Sequence, residues 1–202
     1  MQGNKMKKVK LEIGHGPTPS GFDPGTIGVG GITEYSLNVI AANACAARLR
    51  DAGISVTVIN ESASLFAIGQ RAKGYDAFVS FHHNSFDARA QGVEVLIGRN
   101  ADENDKRLAD AIYAQVKLNS PNGVDGHRKV KTQGLGVLNG ADSVGAACCL
   151  VECYFIDAEI QGSMLGLSKQ QGIDTAIGIL NFLGVSAQKV DTQTDNYAYV
   201  QA

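Results

Sequence analysis

No apolar run in this chain approaches the length of a membrane span, so no transmembrane helix is expected. Neither sign of charge dominates. Eighteen Lys and Arg stand against 20 Asp and Glu, for a formal net charge of −2, which offers no general affinity for nucleic acid or an anionic membrane. Cysteine is scarce and poorly spaced for cross-linking. Cys148, Cys149 and Cys153 crowd one segment while Cys45 lies far away, which suits neither a disulfide framework nor a spaced zinc knuckle. Reduced thiols acting as small core side chains are expected instead. Residues 1–10 hold four lysines with no apolar stretch behind them, so no secretory signal is expected and the chain is expected to be made in the cytoplasm. Internal repeats are absent, and the glycines at 28, 30 and 31 match neither dinucleotide nor phosphate-loop spacing.

The 202 residues that remain to be explained are 44% hydrophobic, enough for one domain with a sizeable core. Strands are expected over 8–13, with one buried face, and over 54–59, 75–84, 91–97, 135–138 and 146–151, the last a continuous apolar run suited to a central strand. The short link between the third and fourth of these suggests an antiparallel or edge pairing. Helices are expected over 34–52 behind an N-cap at Thr33, over 61–74, over 105–118, and over 173–183 before a stop at Gly184. Alternation of strands and helices predicts an α/β class with a twisted, mostly parallel sheet of about six strands, as a single domain over 8–184. The polar tail, 185–202, is expected to be loosely held or to pack on a partner. Between the first strand and first helix lies a glycine- and proline-rich loop, 17–32. It is long for a plain connection and reads as a wall of a functional groove.

Histidine is also scarce, with four in the chain, and their positions are informative. His15 follows the first strand, and His82 and His83 close the strand Ala77-Phe78-Val79-Ser80-Phe81-His82-His83-Asn84. Glu34 falls in the first turn of the first helix, where Asn38 shares its face. Glu152 ends the run at 146–151. Sites in open α/β sheets gather at the carboxyl edge, so His15, Glu34, His82 and Glu152 form a candidate constellation. Two imidazoles and one carboxylate leave an open position on a tetrahedral zinc, and a further carboxylate can take a proton from water activated there. The separations of 19, 48 and 70 residues are all long-range. Periodicity alone therefore leaves two readings open: one metal site, or four unrelated buried or capping residues.

Six stretches carry a family resemblance. They are Ile13-Gly14-His15-Gly16, Asp23-Pro24-Gly25 with Gly28, Glu34-Tyr35-Ser36-Leu37-Asn38, Phe78-Val79-Ser80-Phe81-His82-His83-Asn84, Gly92-Val93-Glu94-Val95, and Leu150-Val151-Glu152-Cys153-Tyr154-Phe155. In this order, and over nearly the whole chain, they resemble the zinc-dependent N-acetylmuramoyl-L-alanine amidases of the Amidase_3 type, found in bacterial autolysins and phage endolysins. The resemblance implies zinc held by His15, Glu34 and His82, with Glu152 as the general base that cleaves the amide between muramic acid's lactyl group and L-alanine. It also implies a peptidoglycan partner, while the near-balanced charge leaves no nucleic acid or membrane partner expected. The setting it suggests is an endolysin released to the wall by a holin. An autolysin, a stem-peptide zinc carboxypeptidase and a non-catalytic wall-binding module are the alternatives. Asn38, His83, Asn84, His127 and Arg128 are the expected substrate contacts, the last two on a loop over 120–134. Two stretches depart from the family pattern. Pro17-Thr18-Pro19-Ser20 precedes the Asp-Pro-Gly stretch, and Cys153-Tyr154-Phe155-Ile156-Asp157 follows the glutamate.

Overall fold

The computed structural model describes residues 6–121 and 129–186. Its frame is a six-stranded sheet in the order β4 (Ser55–Ile59), β1 (Lys8–Ile13), β5 (Ala77–Asn84), β8 (Ala147–Phe155), β6 (Glu94–Ile97), β7 (Val130–Thr132). Neighbours run parallel except β6 and β8, which pair antiparallel. The expected antiparallel pairing of this strand thus exists, but with β8 rather than with β5. The central strands β1, β5 and β8 are buried on both faces, as a sheet covered by helices on each side requires.

Strand alternation divides the core in two. Val9, Leu11, Val79, Phe81, Cys149 and Val151 point into the larger cluster, covered by α1 (Glu34–Asp51), α3 (Glu103–Val116) and α5 (Met164–Leu183). Phe78, Cys148, Leu150 and Leu96 point into the smaller cluster, covered by α2 (Leu65–Gln70) and α4 (Gly136–Asp142). The four cysteines are free and buried, as small core side chains. Caps set the helix ends. The Thr33 hydroxyl accepts from Ser36 N at 3.2 Å, Asp102 and Asp105 form a capping box on α3, and Gly184 ends α5 at φ 67°.

Several boundaries differ from the sequence expectation. The segment 135–138 is not a strand: α4 begins at Gly136 and buries Val137, Leu138 and Ala141, a helical spacing that a four-residue apolar run cannot display. The central strand β8 does not stop at Glu152 but continues through Phe155. α5 begins at Met164 behind a Ser163 cap, nine residues before the expected start at 173, because Gly166, Lys169 and two glutamines dilute its apolar stripe. Both faces of β1 are buried, including Lys10 and Glu12, so its alternation marks two different interiors rather than an inside and an outside. The loop 17–32 contains a small hairpin, β2 (Gly16–Thr18) with β3 (Gly21–Asp23). The expected helix over 61–74 is only α2, followed by turns.

Candidate active site

The site forms where β1 and β5 end and α1 begins. After Ile13 the chain turns at Gly14 and holds His15 at φ 65°, a left-handed conformation that a histidine adopts at some cost. Asn60 secures the turn, its Nδ2 donating to Ile13 O at 2.8 Å and His15 O at 2.7 Å. Gly14 is required for a second reason: a Cβ there would collide with the His82 ring. Gly25 likewise clears space, since a Cβ would lie 2.7 Å from His15 Cδ2 and 2.8 Å from Glu34 Oε2.

Glu34 is the hub. It is 4% exposed, with Oε2 at 3.1 Å from His15 Nε2 and Oε1 at 2.9 Å from His82 Nδ1. Backbone N–H groups also donate to it, Thr26 N to Oε2 at 3.1 Å and His83 N to Oε1 at 3.2 Å. His15 turns its other nitrogen, Nδ1, to Asp23 Oδ2 at 2.8 Å, while Asp23 Oδ1 accepts from Gly25 N at 2.9 Å. One ligand atom each from His15, Glu34 and His82 lies within 4.8 Å of the others.

Electrostatics mark this as a place for a cation. Burial opposes Glu34's charge, yet the hydrogen bonds with His15 and His82 prevail and hold its carboxyl well below the usual range. The Glu34 contact, against burial and with help from Asp23, raises His15 to about 9. His82 is also raised: burial resists its charge, and Glu34 with the nearby Glu152 outweighs it. With Nδ1–H committed to Asp23, a neutral His15 would aim a bare Nε2 lone pair at a carboxylate. Two facing acceptors need a cation between them, and a metal supplies it as well as a proton does. The donor set of two imidazoles and one carboxylate suits zinc.

Glu152 is the parallel register partner of His82 and lies on the same face of the sheet. Between this pair and the Asn84–Phe155 pair the register shifts, a bulge of the kind that re-aims side chains beside sites. The Oε2 atom of Glu152 is buried with no hydrogen-bond partner. Burial pushes its carboxyl up to about 7, with Glu34 and Glu94 adding and His82 opposing. Glu94 faces Glu152 across the antiparallel ladder and is paired with Lys131 Nζ at 2.7 Å.

Two of the expected substrate contacts are corrected. His83 points away from the site into the larger core and is 2% exposed. Its Nδ1 meets Asn38 Oδ1 at 2.7 Å and its Nε2 meets Ser168 Oγ at 2.9 Å. Burial lowers it to about 3, so it stays neutral. Asn38 is fully buried and donates from Nδ2 to Gly14 O at 3.1 Å. Both tie α1 and α5 to the turn that carries His15. Asn84 is half-buried at the strand end, its Oδ1 accepting from Ser85 N at 2.9 Å. His127 and Arg128 lie outside the described residues. Sequence reasoning assigned no role to Asp23, Asn60 or Glu94. Asp23 alone left a signal, a carboxylate before Pro-Gly near His15.

A cavity of about 290 Å³ opens beside the histidines. Pro17, Thr18 and Asp23 form part of its wall, so the 17–32 loop does bound a groove.

Residues 9–181 match the model of a family described as N-acetylmuramoyl-L-alanine amidase, Amidase_3. No curated relative matches the chain. Solved structures share the fold at low identity. An N-acetylmuramoyl-L-alanine amidase from Clostridium difficile 630 superposes with TM-score 0.77 at 22% identity, over 90% of this chain and 98% of that one. The catalytic domain of CwlV, an amidase of Bacillus (Paenibacillus) polymyxa var. colistinus, gives 0.73 at 18%, over 90% and 100%. The catalytic domain of the CD27L endolysin, which targets Clostridia difficile, gives 0.67 at 24%, over 87% and 97%.

Proposed function

The chain belongs to the Amidase_3 family of N-acetylmuramoyl-L-alanine amidases, and on that premise we propose that it hydrolyses the amide joining the lactyl group of N-acetylmuramic acid to the L-alanine of the stem peptide. His15, Glu34 and His82 are the proposed zinc ligands and Glu152 the general base. The observation that carries the reading is the pair of imidazole nitrogens turned onto one buried carboxylate, 3.1 and 2.9 Å away, beside a second buried carboxylate whose Oε2 has no partner.

Zinc bound there would supply Lewis acidity that makes water a nucleophile near neutral pH. The protein's own groups do the rest. Asp23 fixes the His15 tautomer and ring orientation. Glu152, poised near neutrality by burial, accepts a proton from the attacking water as the oxygen–carbon bond forms. It returns that proton to the alanine nitrogen as the carbon–nitrogen bond breaks. Gly14 and Gly25 leave the space that the ligand side chains occupy.

The proposed catalytic unit is residues 8–184, with 185–202 as a tail. No described helix is long and apolar enough to cross a membrane. For the setting, a phage or prophage endolysin freed to the wall by a holin is preferred over a bacterial autolysin. Lysis of host cells only on co-expression with a holin is the expected outcome, and lysis without one would favour the autolysin.

Digestion of purified peptidoglycan, with and without a chelator, tests the chemistry. Mass analysis should find intact stem peptides with a free N-terminal L-alanine, and only in the metal-replete reaction. Fragments cut within the stem would instead indicate a peptidase, and a bound but undigested wall would indicate a binding module.

A further inference from the structure

Toward the start of β8, away from Glu152, a second group of ligand atoms meets. Asp105 in the first turn of α3, Asp142 at the last residue of α4 and Cys148 on β8 each offer one atom within 4.8 Å of the others. Cys148 precedes Glu152 by four residues, about 13 Å along the strand, so this group is separate from the one around Glu34.

The group is buried and of one sign. Asp105 is 4% exposed and Cys148 is fully buried. Main-chain donors hold Asp105 in place, Cys148 N to Oδ1 at 2.7 Å and Asp102 N to Oδ2 at 2.7 Å. The Cys148 thiol donates to Asp142 Oδ1 at 3.0 Å. Among the described residues, no lysine, arginine or histidine is paired with either carboxylate. Burial holds the Asp105 carboxyl above the usual range against its main-chain donors, and Asp142 adds to the rise.

Asp142 carries the observation that calls for a ligand. Its Oδ2 is buried and has no hydrogen-bond partner. It also ends a helix, where the last carbonyls already concentrate negative charge. Gly98 keeps the space beside that oxygen clear, since a Cβ there would lie 2.5 Å from it. A buried carboxylate oxygen without a partner, beside a second carboxylate, is costly until a cation meets it.

We infer that Asp105, Asp142 and Cys148 form a second metal site, for a divalent ion of the zinc class, that fastens α3 and α4 to β8. Magnesium and calcium take oxygen ligands, whereas a thiolate with two carboxylates suits zinc or cobalt(II). Binding forms a sulfur–metal bond and releases the thiol proton to solvent. Burial and the Asp142 contact hold that thiol well above its usual range. The ion must therefore displace a firmly held proton, and this site fills after the one around Glu34. Asp142 is only half-buried, which gives the ion a way in.

Titration of the reduced, metal-free full chain with cobalt(II) tests the site. A thiolate bound to cobalt gives an intense near-ultraviolet charge-transfer band that imidazole and carboxylate ligands do not. The first equivalent should enter without the band and the second should bring it. In His82→Ala the band should rise from the first equivalent, which reads this site whether or not the amidase reading holds. Cys148→Ser should remove the band, limit the chain to one cobalt and leave peptidoglycan digestion unchanged. Asp142→Asn lies at the half-buried position and keeps the test alive if the core substitution does not fold; it should weaken the second equivalent by about tenfold or more. A wild type without the band, a band that survives Cys148→Ser, or a second equivalent of undiminished affinity in Asp142→Asn overturns the site, and the two carboxylates would then share a proton instead.

Discussion

His82 and His83 are neighbours on β5, and strand alternation sends them to opposite faces of the sheet. His82 turns to Glu34 in the site, and His83 turns into the core between Asn38 and Ser168. Their substitutions should therefore separate cleanly. His82→Ala should lose zinc while remaining folded. His83→Gln should retain zinc but lose about 1–3 kcal/mol of stability through unmatched buried partners; metal analysis and urea denaturation of both variants check this, and zinc loss in His83→Gln alone would reverse the assignment. A pH signature accompanies it. His83 is held near 3 in the fold by burial, against about 6.5 when unfolded. Its neutral form thus contributes fully above about 6.5, and the contribution falls as pH drops toward 3, by at most about 1.4 kcal/mol per pH unit. The urea midpoint of the wild type should decline more steeply between pH 6 and 4 than that of His83→Gln; parallel declines would show that another group governs the acid limb. Glu152→Gln makes the third contrast, with kcat expected to fall by about 10²–10⁴ at unchanged zinc content. Full activity in that variant would remove Glu152 from the mechanism. Residues at strand ends were legible because a histidine after an apolar run is conspicuous. The core role of His83 and Asn38 was not, since a strand buried on both faces gives no sequence sign of which face is the cleft.

Glycine sets how closely the helices approach. A Cβ on Gly172 of α5 would collide with the Ala41 carbonyl of α1, and one on Gly178 would lie 2.5 Å from Ile112 Cα of α3. Gly69 and Gly140 make the same kind of contact between α2 and α4. In an exposed helix, Gly→Ala gains up to about 1 kcal/mol. Gly172→Ala should instead cost about 1–3 kcal/mol, because backbone would have to move. It should also weaken zinc retention, since α1 carries Glu34. A stabilising effect in thermal and urea melts would show that α5 is not seated as described. These contacts also explain which elements the sequence announced. α1 and α3 carry caps and apolar spacing, and both were anticipated within a few residues. The segment 135–138 has the look of a strand, because the fold-determining feature of α4 is the backbone approach of Gly140 to α2, which no local period encodes. The early start of α5 escapes the period for a related reason: Gly172 interrupts the apolar stripe where the approach of α1 leaves no room for a side chain.

At the scale of the molecule, α/β alternation and the rough strand count were legible, while the strand order β4-β1-β5-β8-β6-β7 depends on pairings between segments far apart in the chain. The site is itself such a long-range object, joining the turn after β1, the first turn of α1 and the end of β5. A metal held there binds the folded chain and not the unfolded one, so it must stabilise the whole fold by mass action. At a free zinc concentration a hundredfold above Kd the gain is about 2.7 kcal/mol, or roughly 5–10 °C in Tm for a domain of this size. A chelator should lower Tm by about that amount and added zinc should restore it. Protons compete for the same nitrogens, and His15 holds its proton up to about 9 in the metal-free fold, so the zinc-dependent rise should grow between pH 6 and 8. His82→Ala should abolish the response, and Glu152→Gln should keep it, because that carboxylate is proposed to act on water rather than to hold the metal. A full zinc shift in His82→Ala would mean that the ion sits elsewhere, and the arrangement around Glu34 would then be a buried ion-pair network without a catalytic role.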